Sequence, residues 1–151
     1  NTPKYGDELK IVEDVVNTCD KDAKCYFKSF QDAVKEVDKQ GFTKVTAGGS
    51  LAGIKMQKSI WMLAVYGQEA DMIELVKFMP SIQQPAARSF VQMAIDKNLH
   101  NGSLKVADAI AKLVKTEREK GSETANREAS QLEPIANKLR ARAASAGGAK
   151  K

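Results

Sequence analysis

The sequence has little of what catalysis and metal binding require. Its 151 residues include one histidine and two cysteines, and no Cys-x-x-Cys-His motif. Zinc and haem sites take several Cys or His ligands at defined spacing, and nucleophilic catalysis needs a nucleophile held beside a base. The sequence therefore predicts a non-enzymatic protein without metal or cofactor. A carboxylate pair brought together by the fold is the catalytic alternative.

The sequence also lacks a long apolar run and, over most of its length, an excess of charge. No apolar run reaches the roughly 18 residues of a membrane-spanning helix. Residues 1–137 carry 19 basic and 19 acidic side chains. Nucleic-acid binding relies on several cations that neutralise successive phosphates. We therefore expect no transmembrane segment and no broad nucleic-acid-binding face.

The net charge of +5 comes wholly from the carboxyl end. The residues responsible are Lys138, Arg140, Arg142, Lys150 and Lys151. These are the candidate contacts to an anionic partner, either a nucleic acid or a membrane surface, and only through the tail. Because Gly147 and Gly148 follow Ala144, we expect a single domain over residues 1–144 and a flexible basic tail over residues 145–151.

Apolar residues recur at helical spacing from Asp7 to Arg142, and alternating strand patterns are absent. This periodicity predicts an all-α fold with about five to seven helices. Gly48, Gly49 and their neighbours indicate a flexible connector over residues 42–53, after the first two helices.

The last predicted helix has apolar residues at alternating spacings of four and three. This heptad-like pattern predicts a terminal helix docked on the last helical repeat, or a seam for another chain. Pro134 lies inside the pattern and removes a backbone hydrogen bond. We therefore expect either a kink or a helix that restarts near Leu132.

The central part of the chain resembles a repeat family. Four apolar positions recur thirty residues later, as Ile60 and Phe90, Trp61 and Val91, Ala64 and Ala94, and Val65 and Ile95. Leu63–Val76 resembles the inner turn and second helix of a HEAT-type repeat. Gln84–Ala94 resembles the start of the next repeat, with Arg88 at the family's arginine position. The resemblance spans residues 54–98 and implies a short right-handed α–α superhelix of helical hairpins with a C-terminal helix.

The broad apolar face around Trp61 leads to a further expectation. Because Ile60, Ala64 and Val65 lie beside it, we predict that Trp61 is buried between the second and third helical pairs.

Cys19 and Cys25 are separated by five residues and lie at the facing ends of two predicted antiparallel helices. A disulfide there would contribute about 2 kcal/mol in the chain-entropy model and would persist only in an oxidising compartment. Two reduced thiols at a helix corner are the alternative. The start at Asn1 rather than methionine also favours processing, although simple trimming would give the same start. We predict a disulfide and a location in the periplasm, at the cell surface or in the medium.

These features favour binding over chemistry. Stacked helix pairs present an extended surface for a segment of another protein, so we predict a non-enzymatic helical-repeat scaffold that binds protein. One alternative is an electrostatic tether that holds an anionic surface through the basic tail. Another is a structural subunit of a larger oligomer or assembly. Tether binding should weaken steeply with salt, whereas groove binding should change little.

Overall fold

The computed structural model of the protein describes residues 5–40 and 51–149, and these residues are almost entirely helical. The α-helices are α1 (Tyr5–Cys19), α2 (Ala23–Gln40), α3 (Leu51–Tyr66), α4 (Glu69–Phe78), α5 (Pro85–Lys97), α6 (Leu104–Lys120) and α7 (Glu123–Ala149). Short 3-10 turns, Met79–Ser81 and Leu99–Asn101, follow α4 and α5. No strand is present within the described ranges. The predicted all-α class is confirmed.

The predicted connector and tail lie at the edges of the described residues. Residues 42–50 of the connector fall outside them, and its last three residues already belong to α3. Lys150 and Lys151 also fall outside, whereas α7 continues to Ala149, past the predicted domain end at residue 144. Among the described helices, none is long and apolar enough to cross a membrane.

α7 is one helix that contains Pro134. Of the two predicted alternatives, the restart near Leu132 is therefore excluded. Leu132 and Ile135 are both buried, on either side of the proline, while Pro134 itself is exposed. Packing on both sides of the proline offsets the free-energy cost of the backbone hydrogen bond that it cannot make.

Helices two positions apart in the chain lie side by side. α3 contacts both α1 and α5, and α4 contacts both α2 and α6. The largest contacts join the odd-numbered set to the even-numbered set, between α2 and α3 and between α6 and α7. The helices thus form two layers. Their shared core has as its largest fully buried side chains Tyr26, Phe30, Met56, Ile60, Leu63, Met72, Leu75, Met79, Ile82, Ile95, Ile110 and Leu132.

Burial on α3 and α5 corresponds at an offset of 31 residues rather than 30. The buried pairs are Met56 and Ala87, Ile60 and Val91, Leu63 and Ala94, and Ala64 and Ile95. The offset of 30 instead matches Val65, which is 59% exposed, with the buried Ile95. Trp61 consequently lies at the margin of the buried face and is only partly buried. The prediction that it is buried between helical pairs is wrong.

A buried asparagine fixes the end of α5 against the end of α3. Asn98 is 1% exposed, and its Nδ2 donates hydrogen bonds to the carbonyl oxygens of Ala64 (2.8 Å) and Gly67 (3.0 Å). A Cβ at Gly67 would collide with the carbonyl oxygen of Leu63 and the side chain of Met72. Since a buried polar group without its partners is costly, this contact holds α3 and α5 in one relative position.

Candidate interaction surface

α3 carries apolar residues on two sides. One side packs into the core, as described above. The other has a stripe at spacings of three and four, which places its members along one side of the helix. The stripe consists of Leu51, Ile54, Lys58, Trp61 and Val65. Leu51 is 39% exposed and Val65 is 59% exposed, while Ile54 and Trp61 are partly exposed. α3 can therefore contact partners on both sides.

α5 extends this stripe laterally. The Phe90 ring meets the Trp61 ring edge to face, with centroids 6.5 Å apart and an interplanar angle of 68°. Met93, one turn after Phe90, is 43% exposed. We define the α3–α5 surface as this combined set. Its residues are Leu51, Ile54, Lys58, Trp61, Val65, Phe90, Met93 and Lys97.

Trp61 lies at the centre of the surface. The Lys97 ammonium lies 5.2 Å from the centroid of its ring, within the range of a cation–π interaction. Lys58 lies three residues before Trp61, one turn away on the same helix. The only tryptophan of the chain is thus held by an aromatic ring and a cation and is still partly open to solvent.

The charge of the α3–α5 surface has one sign. α3 contains two lysines and no Asp or Glu. Asp96 of α5 accepts a hydrogen bond from Nζ of Lys138 at 3.0 Å, so its charge is compensated by α7. Lys58 and Lys97 make no ion pair with any residue that the structure describes. The surface therefore presents two uncompensated cations and no carboxylate.

The predicted cysteine pair is placed at bonding distance. The α-carbons of Cys19 and Cys25 are 5.2 Å apart, within the range that a disulfide requires. The carboxylate of Asp22 accepts hydrogen bonds from the backbone N–H groups of Lys24 (3.0 Å) and Cys25 (3.3 Å), and thereby caps the start of α2. The Tyr26 hydroxyl donates to the carbonyl oxygen of Asp20 at 2.5 Å. These contacts hold the loop between the two cysteines.

A groove of about 360 Å³ lies beside this disulfide, between α1, α2 and α3. Its floor is apolar and includes Ile11, Val15 and the disulfide. Charged side chains of both signs line it, among them Asp14 and Lys55. The mixed charge gives the groove no preference for one sign of ligand.

A second groove, of about 400 Å³, contains two buried carboxylates and bears on the catalytic alternative. Arg88 donates to both carboxylate oxygens of Glu128 at 2.8 and 3.0 Å, and through Nε to the carbonyl oxygen of Ile82 at 2.7 Å. Lys120 donates to Glu117 at 3.1 Å. Each carboxylate is therefore held by a cation, and the Arg88–Glu128 pair joins α5 to α7.

The predicted anionic contacts on α7 do not form one cluster. Lys138 is engaged by Asp96, and Arg140 donates to Oδ1 of Asn137 at 3.3 Å. Arg142 is exposed and lies four residues after Lys138, on the same side of the helix, whereas Arg140 points to a different side. Contact of these residues with an anionic surface stays a prediction.

Comparison of the chain with protein-family models, with curated proteins and with solved structures found no match. The α3–α5 surface is therefore supported by its geometry and chemistry alone. The sequence pattern predicts Trp61 and Val65 in the core and gives no role to Lys58, Met93 or Lys97. The spacing of 51, 54, 58, 61 and 65 was the available signal, because it places these residues opposite the buried side of α3.

Proposed function

We propose that the protein is a non-enzymatic stacked-helix scaffold, of the HEAT-like kind, that binds a helical segment of a partner protein through the α3–α5 surface. The observation that supports this proposal is the second apolar stripe of α3. Apolar side chains exposed singly are normal on proteins, but a continuous group with an aromatic centre is typical of an interaction site. Tryptophan is also enriched among the residues that dominate binding energy.

The proposal places this scaffold in an oxidising, extracytoplasmic compartment. The short loop between Cys19 and Cys25 supports this location, because a disulfide persists only where thiols are not kept reduced. Intact mass before and after reduction, with alkylation of freed thiols, tests it on protein from the native source. Alkylation of both cysteines without reductant would overturn the location.

Tethering through the basic residues of α7 has less support. Lys138 is already paired with Asp96, and Arg140 and Arg142 lie on different sides of α7, so the described cations of this helix form no cluster that could neutralise successive charges. Salt distinguishes the two modes. Tether binding should weaken steeply between low and moderate ionic strength, whereas binding through a largely apolar surface should change little.

The direct test uses a photo-crosslinking amino acid at Val65, in the surface, and at Leu104, an exposed apolar residue at the start of α6. In an extract of the native source we expect a discrete adduct from position 65 that is absent from position 104. Excess unlabelled protein should abolish the adduct, and excess Leu104→Ala protein should do so equally. Excess Trp61→Ala protein should compete poorly. Equal competition by all three would overturn the proposal.

A further inference from the structure

The chemistry of the α3–α5 surface restricts what can bind there, if it is the binding site proposed above. Its apolar residues run along α3 from Leu51 to Val65, a rise of about 21 Å at 1.5 Å per residue. A partner helix of about four turns would match this length. Such helices bind through apolar anchors at i, i+3, i+4 and i+7, which fit a stripe with the spacing of this one.

The cations of the surface indicate the charge of that helix. Lys97 lies over the Trp61 ring through its cation–π contact, and Lys58 lies one helical turn before Trp61 on α3. No carboxylate in α3 opposes them, and Asp96 is compensated by Lys138. A partner that brought lysines to this surface would meet like charges, whereas one that brought carboxylates would form ion pairs at the margin of the apolar contact.

We propose that the α3–α5 surface binds an acidic amphipathic helix, in which a stripe of apolar side chains packs around Trp61 and flanking carboxylates pair with Lys58 and Lys97. A second copy of the chain fits less well, because a two-fold contact would bring the lysines of both copies to one interface. An anionic membrane also fits less well. Membrane attraction usually needs clusters of about four to eight basic residues, and the surface has two.

The sole tryptophan makes the binding directly measurable. Three synthetic helices of about 18 residues, without tryptophan, share one leucine stripe and carry glutamate, glutamine or lysine beside it. Titration of the full chain is followed by Trp61 fluorescence. We expect the glutamate helix to bind about tenfold more tightly than the glutamine helix, and the lysine helix to bind most weakly, because two exposed ion pairs each contribute a modest factor.

Charge reversal supplies the decisive comparison. In the Lys58→Glu/Lys97→Glu variant the order of the three helices should reverse, so that the lysine helix binds best. The matched control, Lys105→Glu/Lys112→Glu, makes the same change of net charge on exposed positions of α6 and should keep the original order. Circular dichroism verifies that both variants fold. An unchanged order in the first variant would overturn the proposal.

The remaining outcomes separate this inference from the proposed function. If the glutamate and glutamine helices bind equally, the acidic partner is wrong while the helix-binding surface stands. If no helix changes the Trp61 emission but vesicles of anionic phospholipid do, the occupant is a membrane and the proposal is overturned. A dimer in sedimentation that Trp61→Ala dissociates would overturn it in favour of a second copy. Loss of the proposed function itself is detected independently, by the competition of crosslinking at position 65.

Discussion

The α2–α3 and α6–α7 pairs make the largest helix contacts in the described chain, and they differ on their solvent sides. In the α6–α7 pair, the large apolar residues are buried with one exception, Leu104 at the first position of α6, which is more than a third exposed. Polar and charged side chains cover most of the rest, with ion pairs such as Arg118–Glu133 and Arg127–Glu123. In the α2–α3 pair, α3 buries one apolar side and leaves another in solvent.

This difference distinguishes two kinds of apolar residue. Those in the helix contacts are buried and stabilise the fold, whereas those of the outward stripe of α3 are largely outside these contacts. α6 and α7 form a stable contact with one apolar face each, so a second face is not a requirement of this architecture. Under the proposed function, the outward stripe of α3 makes an external contact rather than contributing to folding. Substitutions on the buried side and on the outward side of these helices should therefore differ in their effects.

The largest loss of stability is expected from substitutions at buried positions of the α2–α3 and α6–α7 pairs. Leu63 of α3 and Leu132 of α7 are each 0% exposed, so replacing either by alanine removes buried methyl groups and leaves a cavity. We expect Leu63→Ala and Leu132→Ala each to lower the free energy of unfolding by about 3 to 5 kcal/mol, as measured by urea denaturation. A loss below about 1 kcal/mol for either would show that the helix concerned does not pack as described.

A smaller effect is expected from the covalent link near the α2–α3 pair. Closing the short loop between Cys19 and Cys25 restricts the unfolded chain and should contribute about 2 kcal/mol to stability. The measurement compares urea unfolding of oxidised and reduced protein, with Cys19→Ala/Cys25→Ala as the control that reductant should not affect. Equal unfolding midpoints with and without reductant would contradict this contribution. The α6–α7 pair reaches its packing through Gly121 and Ser122, without such a link.

Alkaline pH should also lower the stability of the protein, through the ionisation of Tyr26 in α2. Burial, with smaller contributions from Tyr66 and Asp20, raises the pKa of Tyr26 above its ordinary value near 10. The neutral phenol is thus favoured in the folded state, so its contribution is complete below about pH 10 and is lost as the pH rises through the folded pKa. Stability should fall with pH in that range.

The Tyr26→Phe variant isolates this contribution. It removes the hydrogen bond to the carbonyl oxygen of Asp20 and should cost about 1 kcal/mol at neutral pH, while its stability should fall less steeply above pH 10. Urea unfolding of both proteins across this pH range provides the measurement. Parallel pH profiles would contradict the assignment.

Helical periodicity was sufficient to predict the fold class, because it extends through most of the chain and strand patterns are absent from the sequence. It was insufficient for α3, whose apolar residues lie on opposite sides, so that composition alone did not say which side is buried. The offset of 31 between α3 and α5 depends on Asn98 reaching the carbonyl oxygens of Ala64 and Gly67. That contact joins distant parts of the chain and has no local pattern. The cysteine spacing was informative because Cys19 ends α1 and Cys25 lies in the first turn of α2, so a short loop brings them together.

The smallest effect on stability is expected on the outward side of α3, and it bears most directly on function. Val65 is 59% exposed, and serine and valine have similar helix propensities, so Val65→Ser should change the free energy of unfolding by no more than about 0.5 kcal/mol. The Met93→Gln variant, at a residue 43% exposed, should behave similarly, because glutamine and methionine have similar helix propensities. Urea denaturation measures both, with Leu63→Ala as the destabilised reference.

The same two variants should bind the leucine-stripe helices more weakly, because they remove apolar contact beside Trp61 without disturbing the core. If a variant keeps its free energy of unfolding but binds the helices more weakly, the substituted residue lies at an interface and does not contribute to folding. A loss of more than about 1.5 kcal/mol would contradict that placement, because it would mean that the outward stripe contributes to folding as the buried side does. α3 would then resemble α6 and α7 in having no apolar surface left for a partner.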